Sequence, residues 1–141
     1  MRHIVIDTNV VIAALRSRRG ASARLLTVLG TGLFEAHISI PLALEYEDVL
    51  TRQGTILGFT LDDIDSLVDS LCAVSRRHER VYFSWRPFLS DKKDDFILDL
   101  AVKAGCDTIV TYNKADFRNV EQFGIRVLDP RQFLQEIGVI E

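Results

Sequence analysis

Short apolar runs rich in β-branched and aromatic residues alternate along this chain with longer stretches of helical periodicity. The runs have the composition of β-strands and lie at 3–7, 33–40, 80–83, 107–111 and 125–128. Because a helix between two strands allows them to pair in parallel, this alternation is typical of a parallel sheet with helices on both faces. The sequence therefore predicts an α/β fold.

Helix boundaries are marked most clearly in two places. Thr60 is the predicted N-cap of a helix whose apolar and acidic residues fall on opposite sides. Asp129 is the predicted cap of the last helix, with Pro130 at its first position and Gly138 after its end.

Composition indicates the broad class of the protein. The chain has 141 residues, 48% hydrophobic and 26% charged, which is ordinary for a soluble domain, and we expect a single domain over 1–141. No apolar run reaches the length of a membrane span, and Asp7 interrupts the first run, so we expect a cytoplasmic protein without a signal peptide. Cys72 and Cys106 each fall in an apolar stretch, which favours buried thiols over a disulfide.

The first apolar run ends on a carboxylate, in the segment VIDTNV (5–10). Ligands of parallel α/β sheets bind outside the carboxyl ends of the strands, so Asp7 is expected on that edge. The alternative is a turn residue whose side chain binds nearby backbone N–H groups. Other acids on the same edge would favour a functional site.

A second acid lies within the apolar face of a predicted helix. In the helix that we expect Pro41 to open, Glu45 shares a face with Leu42 and Val49, whereas Glu47 points away. The alternative is a boundary residue whose carboxylate reaches water.

A third acid opens the helix that we expect to begin near Asp91. Asp94 shares the apolar stripe of residues 97, 98 and 101, so it is our candidate, while Asp95 is expected about 100° away, on the wetter side. The alternative for all three acids is a favourable interaction with the helix dipole.

A fourth acid follows the strand at 107–111. Thr111 and Asn113 stand at the carboxyl end of this strand, and Asp116 comes three residues later, too few to leave the edge of the sheet. The alternative for Asp116 is an N-cap of a short helical turn.

Four carboxylates on one edge would repel each other and raise their own pKa values. A hard divalent cation resolves that conflict, and oxygen ligands favour Mg²⁺ or Mn²⁺ over zinc. The histidines at 3, 37 and 78 show no ligand spacing. The chemistry that suits such a site is metal-assisted hydrolysis of a phosphodiester.

Basic residues cluster locally although the net charge is −3. The segment RSRRGASAR holds Arg16, Arg18, Arg19 and Arg24, which are candidate contacts to phosphate, and a second cluster lies at 76–80. The alternative is that both clusters are solvated helix ends.

Four segments together resemble a known family: VIDTNV (5–10), SIPLALEYEDVL (39–50), DKKDDFILDLAV (91–102) and IVTYNKADF (109–117). In this order they are similar to the PIN-domain ribonucleases, and most of all to the VapC-like toxins of bacterial toxin–antitoxin pairs. The resemblance implies a three-layer α/β/α fold with a mainly parallel sheet. It also implies a metal-dependent endoribonuclease, an RNA substrate, a small antitoxin partner and a homodimer or higher homo-oligomer.

The resemblance also assigns roles to residues. It implies that Asp7, Asp94 and Asp116 hold Mg²⁺ or Mn²⁺, and that Glu45 completes the acidic ring and helps to deprotonate the attacking water. Asn9 and Thr111 would position these ligands. Asn113 stands where many relatives carry an acid, so it either orients a water or shapes the turn.

Other functions compete with this interpretation. A phosphoaspartyl enzyme needs a second Asp two residues after the first, where this chain has Asn9. The alternatives that stay open are an interaction module without catalysis, and a nuclease that acts in RNA maturation without an antitoxin or acts on DNA.

Overall fold

The structure, a computed structural model, describes residues 1–78 and 92–141, and residues 92–94 by their backbone alone. Five parallel strands form one sheet in the order β3-β2-β1-β4-β5. Their bounds are β1 Arg2–Ile6, β2 Phe34–Ser39, β3 Arg76–His78, β4 Thr108–Val110 and β5 Arg126–Leu128. The predicted α/β class is confirmed.

The helices of the described residues alternate with these strands. Their bounds are α1 Thr8–Arg16, α2 Ala21–Val28, α3 Ile40–Ile56, α4 Leu61–Val74, α5 Lys92–Ala104 and α6 Pro130–Glu136. Two short 3₁₀ helices, Lys114–Phe117 and Val120–Phe123, connect β4 to β5.

The central strand shows why helices must cover both faces of the sheet. Successive side chains of a strand point to opposite faces, yet Ile4, Val5 and Ile6 are all buried. A strand buried on both sides reads as a continuous apolar run, which is the pattern that HIVID presents. The result is the three-layer α/β/α arrangement that the sequence predicted.

Four predicted strands are confirmed with small changes in their bounds, while the one predicted at 80–83 lies outside the described residues. The third described strand is Arg76–His78, which the sequence indicated only as a basic cluster. It pairs with β2 at the edge of the sheet, and both of its arginines are exposed. An edge strand buries few side chains, so its apolar signal is absent.

Both predicted helix starts are confirmed. Thr60 Oγ1 accepts from the backbone N–H of Asp63, whose side chain accepts from the N–H of Thr60. Asp129 forms the same reciprocal pair with Gln132, and Pro130 is the first residue of α6. These capping boxes satisfy N–H groups that a helix leaves without partners inside itself.

Other sequence predictions concern thiols and membranes. Both cysteines are free, Cys106 is buried, and burial raises the pKa of its thiol to about 12. No helix among the described residues is long and apolar enough to cross a membrane.

The order of the strands determines where a ligand would bind. Strand β1 pairs with β2 on one side and with β4 on the other, so the chain changes direction across the sheet at β1. In open parallel sheets such a switch point creates a crevice at the carboxyl ends of the strands. Here that crevice begins where β1 ends at Ile6 and β4 at Val110.

Candidate functional site

Asp7 is fixed at the junction of β1 and α1. Its backbone N–H donates to the carbonyl of Val110 at 2.9 Å, which continues the pairing of the two strands by one residue. Asp7 is the N-cap of α1, but its side chain forms no capping bond to this helix within the described residues. The carboxylate instead points to groups that follow β4.

A hydrogen-bond network holds this carboxylate in place. Thr111 Oγ1 donates to Asp7 Oδ2 at 2.8 Å, and Asn9 Nδ2 lies 3.2 Å from the same oxygen. Asn9 Nδ2 also donates to Thr111 Oγ1 at 3.1 Å, and the backbone N–H of Asn113 donates to that hydroxyl at 3.0 Å. Asn9 and Thr111 therefore contact Asp7 directly, as positioning residues would.

Three of the four predicted acids converge on one cavity. A cavity of about 360 Å³ beside this network includes Asp7, Glu45 and Asp116 in its wall. The other residues that line it are Thr8, Asn9, Ile12, Arg16, Val49, Gln53 and Asn113. A larger cavity of about 500 Å³ lies beside Cys72 and His78, but no carboxylate of the described residues lines it. The chemistry of the walls, more than their volume, distinguishes the smaller cavity.

Burial and charge act together on Asp7. Burial raises the pKa of this carboxyl, hydrogen bonds (that of Thr111 first) lower it, and the negative charge of Asp116 raises it further. The net result is a raised pKa, so a nearby positive charge would stabilise the anionic form of Asp7. A divalent ion bound between these acids would supply one.

Each acid comes from a different element. Asp7 follows β1, Glu45 lies in the second turn of α3, and Asp116 lies within the 3₁₀ helix Lys114–Phe117. The alternative prediction that Asp116 is an N-cap is wrong, because Asn113 occupies that position. Glu45 is half-buried beside the buried stripe of α3, so it stands at the border between the core and the cavity.

Asp94 can be placed only by its backbone, and its side chain lies outside the described residues. Helix α5 runs back to the start of β4, so its first turn lies at the carboxyl edge of the sheet, on the side of Asp7. Asp95 corrects a prediction: it was expected on the wetter side, but it is 7% exposed, whereas Phe96 is 45% exposed. The buried face of α5 is wider than the apolar stripe, so spacing alone did not reveal it.

The oxygen ligands that the described residues offer suit a hard cation, although they do not form a complete metal site. No group of three His, Cys, Asp or Glu side chains in the described part of the chain is close enough to hold a metal ion. Thr8 Oγ1, in the wall of the cavity, is buried and has no hydrogen-bond partner among the described residues. Together with carboxylate and amide oxygens, such a hydroxyl suits Mg²⁺ or Mn²⁺ with its bound waters better than Zn²⁺.

The four candidate arginines do not all line the acidic cavity. Arg16 lines the acidic cavity, where its guanidinium donates to Gln53 Oε1 at 2.6 Å. Arg18 lines a separate cavity with Leu15 and Phe59. Arg19 and Arg24 are exposed and line neither cavity. Arg16 is thus the arginine placed best to contact a phosphate beside the acids.

Tyr46 is a residue of this region that sequence reasoning missed. It is buried, and its hydroxyl donates to the carbonyl of Ile6, the last residue of β1. Burial raises the pKa of this tyrosine well above its usual value, and the charges of Asp7 and Glu45 raise it further. A tyrosine in the apolar stripe with Leu42 and Leu50 was the available signal, but such a residue reads first as core.

Comparisons with known proteins agree with this geometry. Two solved structures cover most of the chain, and both have a TM-score of 0.61. VapBC2 from Rickettsia felis, bound to a DNA fragment from its promoter, is 14% identical and matches over 90% of this chain and 99% of that one. VapBC-1 from nontypeable Haemophilus influenzae is 15% identical and matches over 92% and 98%. At such identities the similarity concerns the fold.

Sequence comparisons give the family. No curated protein sequence matches the chain. A family model described as PIN domain matches residues 3–115, which includes β1 to β4 and every candidate acid except Asp116. Because this match extends over most of the chain, the protein belongs to the PIN-domain family.

Proposed function

We propose that this PIN domain is a divalent-metal-dependent endoribonuclease, a hydrolase that cleaves phosphodiester bonds of RNA. The observation that supports the proposal is the convergence of Asp7, Glu45 and Asp116 on one cavity at the switch point of the sheet. Carboxylates gathered in this way repel each other unless a cation lies between them. Phosphodiester hydrolysis is a reaction that such a cation assists.

Each residue of the site would have its own role in metal binding or in hydrolysis. Asp7, Asp94 and Asp116 would hold Mg²⁺ or Mn²⁺, which when bound acidifies water and neutralises charge on the phosphate. Thr111 and Asn9 keep Asp7 Oδ2 in a fixed direction. Glu45, half-buried at the border of the cavity, would accept a proton from the attacking water. Asn113 lines the same cavity and could orient a water through its amide.

Arg16 would contact the phosphate beside the acids. Its guanidinium lies in the wall of the cavity and is held by Gln53, so it does not need to be ordered when RNA binds. Arginine suits this role because its planar donors match phosphate oxygens. Arg18, Arg19 and Arg24 would contact more distant phosphates.

We also propose that the protein is the toxin of a toxin–antitoxin pair and acts in the cytoplasm. Support comes from the fold that it shares with the VapBC complexes and from the resemblance of its motifs to VapC-like toxins. The partners would be a small antitoxin that covers the site and a second copy of this chain.

The first experiment is cleavage of structured and unstructured RNA by the purified protein. It compares Mg²⁺, Mn²⁺ and EDTA, and includes Asp7→Asn, Asp94→Asn and Glu45→Gln. Glu47→Gln is the matched control, because Glu47 is an exposed acid two residues further along α3 that does not line the cavity. We expect metal-dependent cutting by the wild type and the control, with losses of at least a hundredfold in Asp7→Asn.

Other outcomes would contradict the proposal in distinct ways. Equal cutting by the wild type, Asp7→Asn and Asp94→Asn would show that these acids are not ligands. Cleavage of DNA but not of RNA would show that the substrate is DNA. Absence of cutting with either metal would favour an interaction module on this fold. Expression in bacteria tests the proposed toxin role. Growth arrest should depend on Asp7 and should be relieved by a small protein encoded by a neighbouring gene.

A further inference from the structure

Tyr112 is an exposed aromatic residue at the edge of the acidic site. It follows Thr111 and precedes Asn113, which both belong to the network around Asp7, and 47% of its surface is exposed. Most large aromatic side chains of the described residues are buried or half-buried. An aromatic ring left open beside a predicted phosphate site therefore requires a physical explanation.

Two hydrogen bonds hold Tyr112, one at its backbone and one at the end of its ring. The backbone N–H of Tyr112 donates to Asn9 Oδ1 at 3.2 Å, and its phenol oxygen lies 2.6 Å from Ser22 Oγ. Ser22 belongs to α2 and is only 2% exposed, so its hydroxyl is itself held firmly by the core. The ring is thus held in place before any ligand binds.

One of these anchors also belongs to the acidic site. The amide of Asn9 binds Tyr112 through its oxygen and Asp7 Oδ2 through its nitrogen. The position of the ring is therefore coupled to the position of the first acid through a single side chain. A ligand group on the ring would lie next to a phosphate held at the cavity.

The other anchor connects the ring with the basic segment. Ser22 lies within RSRRGASAR (16–24), whose arginines at 18, 19 and 24 are exposed. Proteins that bind single-stranded RNA combine such basic groups along the backbone with aromatic rings on which bases stack. Tyr112 thus connects the acids that would hold the metal with the segment that carries these arginines.

We infer that Tyr112 is a base-stacking residue that holds the nucleotide next to the scissile phosphate, and that Ser22 positions its ring. This inference rests on the proposed ribonuclease function and names how the site would grip its substrate. The competing explanation is structural, since the Ser22–Tyr112 bond also ties α2 to the segment after β4. Experiments must therefore distinguish RNA binding from stability.

Binding is measured without cleavage, in the Asp7→Asn background. The probe is a short single-stranded RNA with 2-aminopurine at successive positions, because stacking quenches the fluorescence of this base. We expect one position to be quenched, and Tyr112→Leu to abolish the quench and weaken binding roughly tenfold or more. Tyr112→Phe should keep most of both effects, since phenylalanine preserves the aromatic face.

The control removes an exposed apolar side chain elsewhere. Leu61→Ala alters a residue that is 59% exposed at the start of α4 and lies outside the acidic cavity, so it should leave the quench unchanged. If Tyr112→Leu binds and quenches like its parent, the inference is wrong. A loss of melting temperature without a change in RNA binding would establish the structural explanation instead.

The role of Ser22 needs a separate comparison. Ser22→Ala and Tyr112→Phe each remove the same hydrogen bond, so both should keep most of the quench and lower it by the same small amount. The double variant should lose no more than either single change, because the partners act as one unit. Additive losses would show that Ser22 does not act through the ring.

Cleavage kinetics separate this inference from the proposed function. In an otherwise unaltered protein, Tyr112→Leu should raise KM roughly tenfold and leave kcat within a few-fold. If Tyr112→Leu cleaves RNA with an unchanged KM, the stacking role is wrong and the proposed nuclease function is unaffected. If binding is quenched in a way that depends on Tyr112 but no preparation cleaves RNA, the stacking role is supported and the proposed nuclease function is wrong.

Discussion

Asp7 carries a charge in a place that normally favours apolar side chains. It is 7% exposed, it follows three buried residues of β1, and Asp116 adds a second negative charge nearby. Groups placed at a cost to stability are typical of functional sites. For a single residue, this cost can be measured as a change in the free energy of unfolding.

Asp7→Asn should therefore stabilise the protein in EDTA while removing its response to metal. The amide keeps a hydrogen-bond acceptor for Thr111 and removes the buried charge, so we expect the free energy of unfolding to rise by about 1–2 kcal/mol at pH 7. The measurement is urea unfolding with EDTA and with Mg²⁺. Mg²⁺ should stabilise the wild type but not the variant.

The sign of this effect with pH follows from the raised pKa of Asp7. The folded state holds this proton more tightly than the unfolded state, so stability falls as pH rises through the folded pKa. The advantage of Asp7→Asn should then shrink in acid. If the advantage is the same at pH 4 and pH 7, the buried charge of Asp7 is not its cause.

Three histidines connect neighbouring strands of the sheet. His3 Nδ1 lies 2.9 Å from His37 Nε2, and His37 Nδ1 lies 2.9 Å from His78 Nε2, so the rings form a row across β1, β2 and β3. Burial, followed by the charges of His78 and His3, lowers the pKa of His37 to about 4. Glu35 opposes this shift and Arg76 adds to it. At the scale of the elements, the row couples strand pairing to pH.

The pKa of His37 predicts a loss of stability in acid. The unfolded state takes up a proton near pH 6.5 and the folded state only near pH 4, so stability should fall between these values and level off below. A shift of this size corresponds to at most about 3 kcal/mol. His37→Gln should flatten the profile between pH 7 and pH 4 in urea unfolding. Parallel profiles of wild type and variant would refute this.

The capping box of α4 provides a second test at the scale of the elements. Thr60→Ala removes the side-chain acceptor for the N–H of Asp63, so we expect a loss of about 1 kcal/mol in the free energy of unfolding. Thr60→Ser keeps the hydroxyl and should lose only a few tenths. Equal losses in both variants would show that the methyl group, not the hydroxyl, matters.

The sequence predicts the cap of α4 but not the row of histidines. Thr60 and Asp63 are three residues apart, and their chemistry is local, so spacing alone predicted the cap. His3, His37 and His78 are far apart in sequence, and only strand order brings them together. Pairing between distant segments depends on register, which a single sequence does not display.

At the scale of the whole molecule, we expect the sheet to separate contacts that stabilise the fold from the proposed site. At the amino ends of the strands, opposite to the acids, Arg2 binds Asp107 at 2.7 Å and Glu136 at 3.0 Å. Its guanidinium also lies 5.2 Å from the ring centre of Phe133. These contacts join the first strand to the last helix.

Arg2→Met should therefore weaken the fold and spare the site. We expect a loss of about 1–3 kcal/mol in the free energy of unfolding, because one change breaks hydrogen bonds to several partners. RNA cleavage at 25 °C should stay within twofold of the wild type. Arg131→Met, at an exposed arginine of α6, is the matched control for charge. A loss of cleavage with unchanged stability would contradict this separation.

The sequence by itself determined the α/β class, four of the strands, both helix caps and three acids that lie on one cavity, because these depend on local periodicity and spacing. It did not determine that β3 lies at 76–78, that Asp95 is buried, or that Arg16 alone among four arginines lines the cavity. Nor did it show that Tyr112 is held between Ser22 and Asn9. Only the tertiary structure decided these points, because burial and contact at one residue depend on segments that lie far away in the sequence.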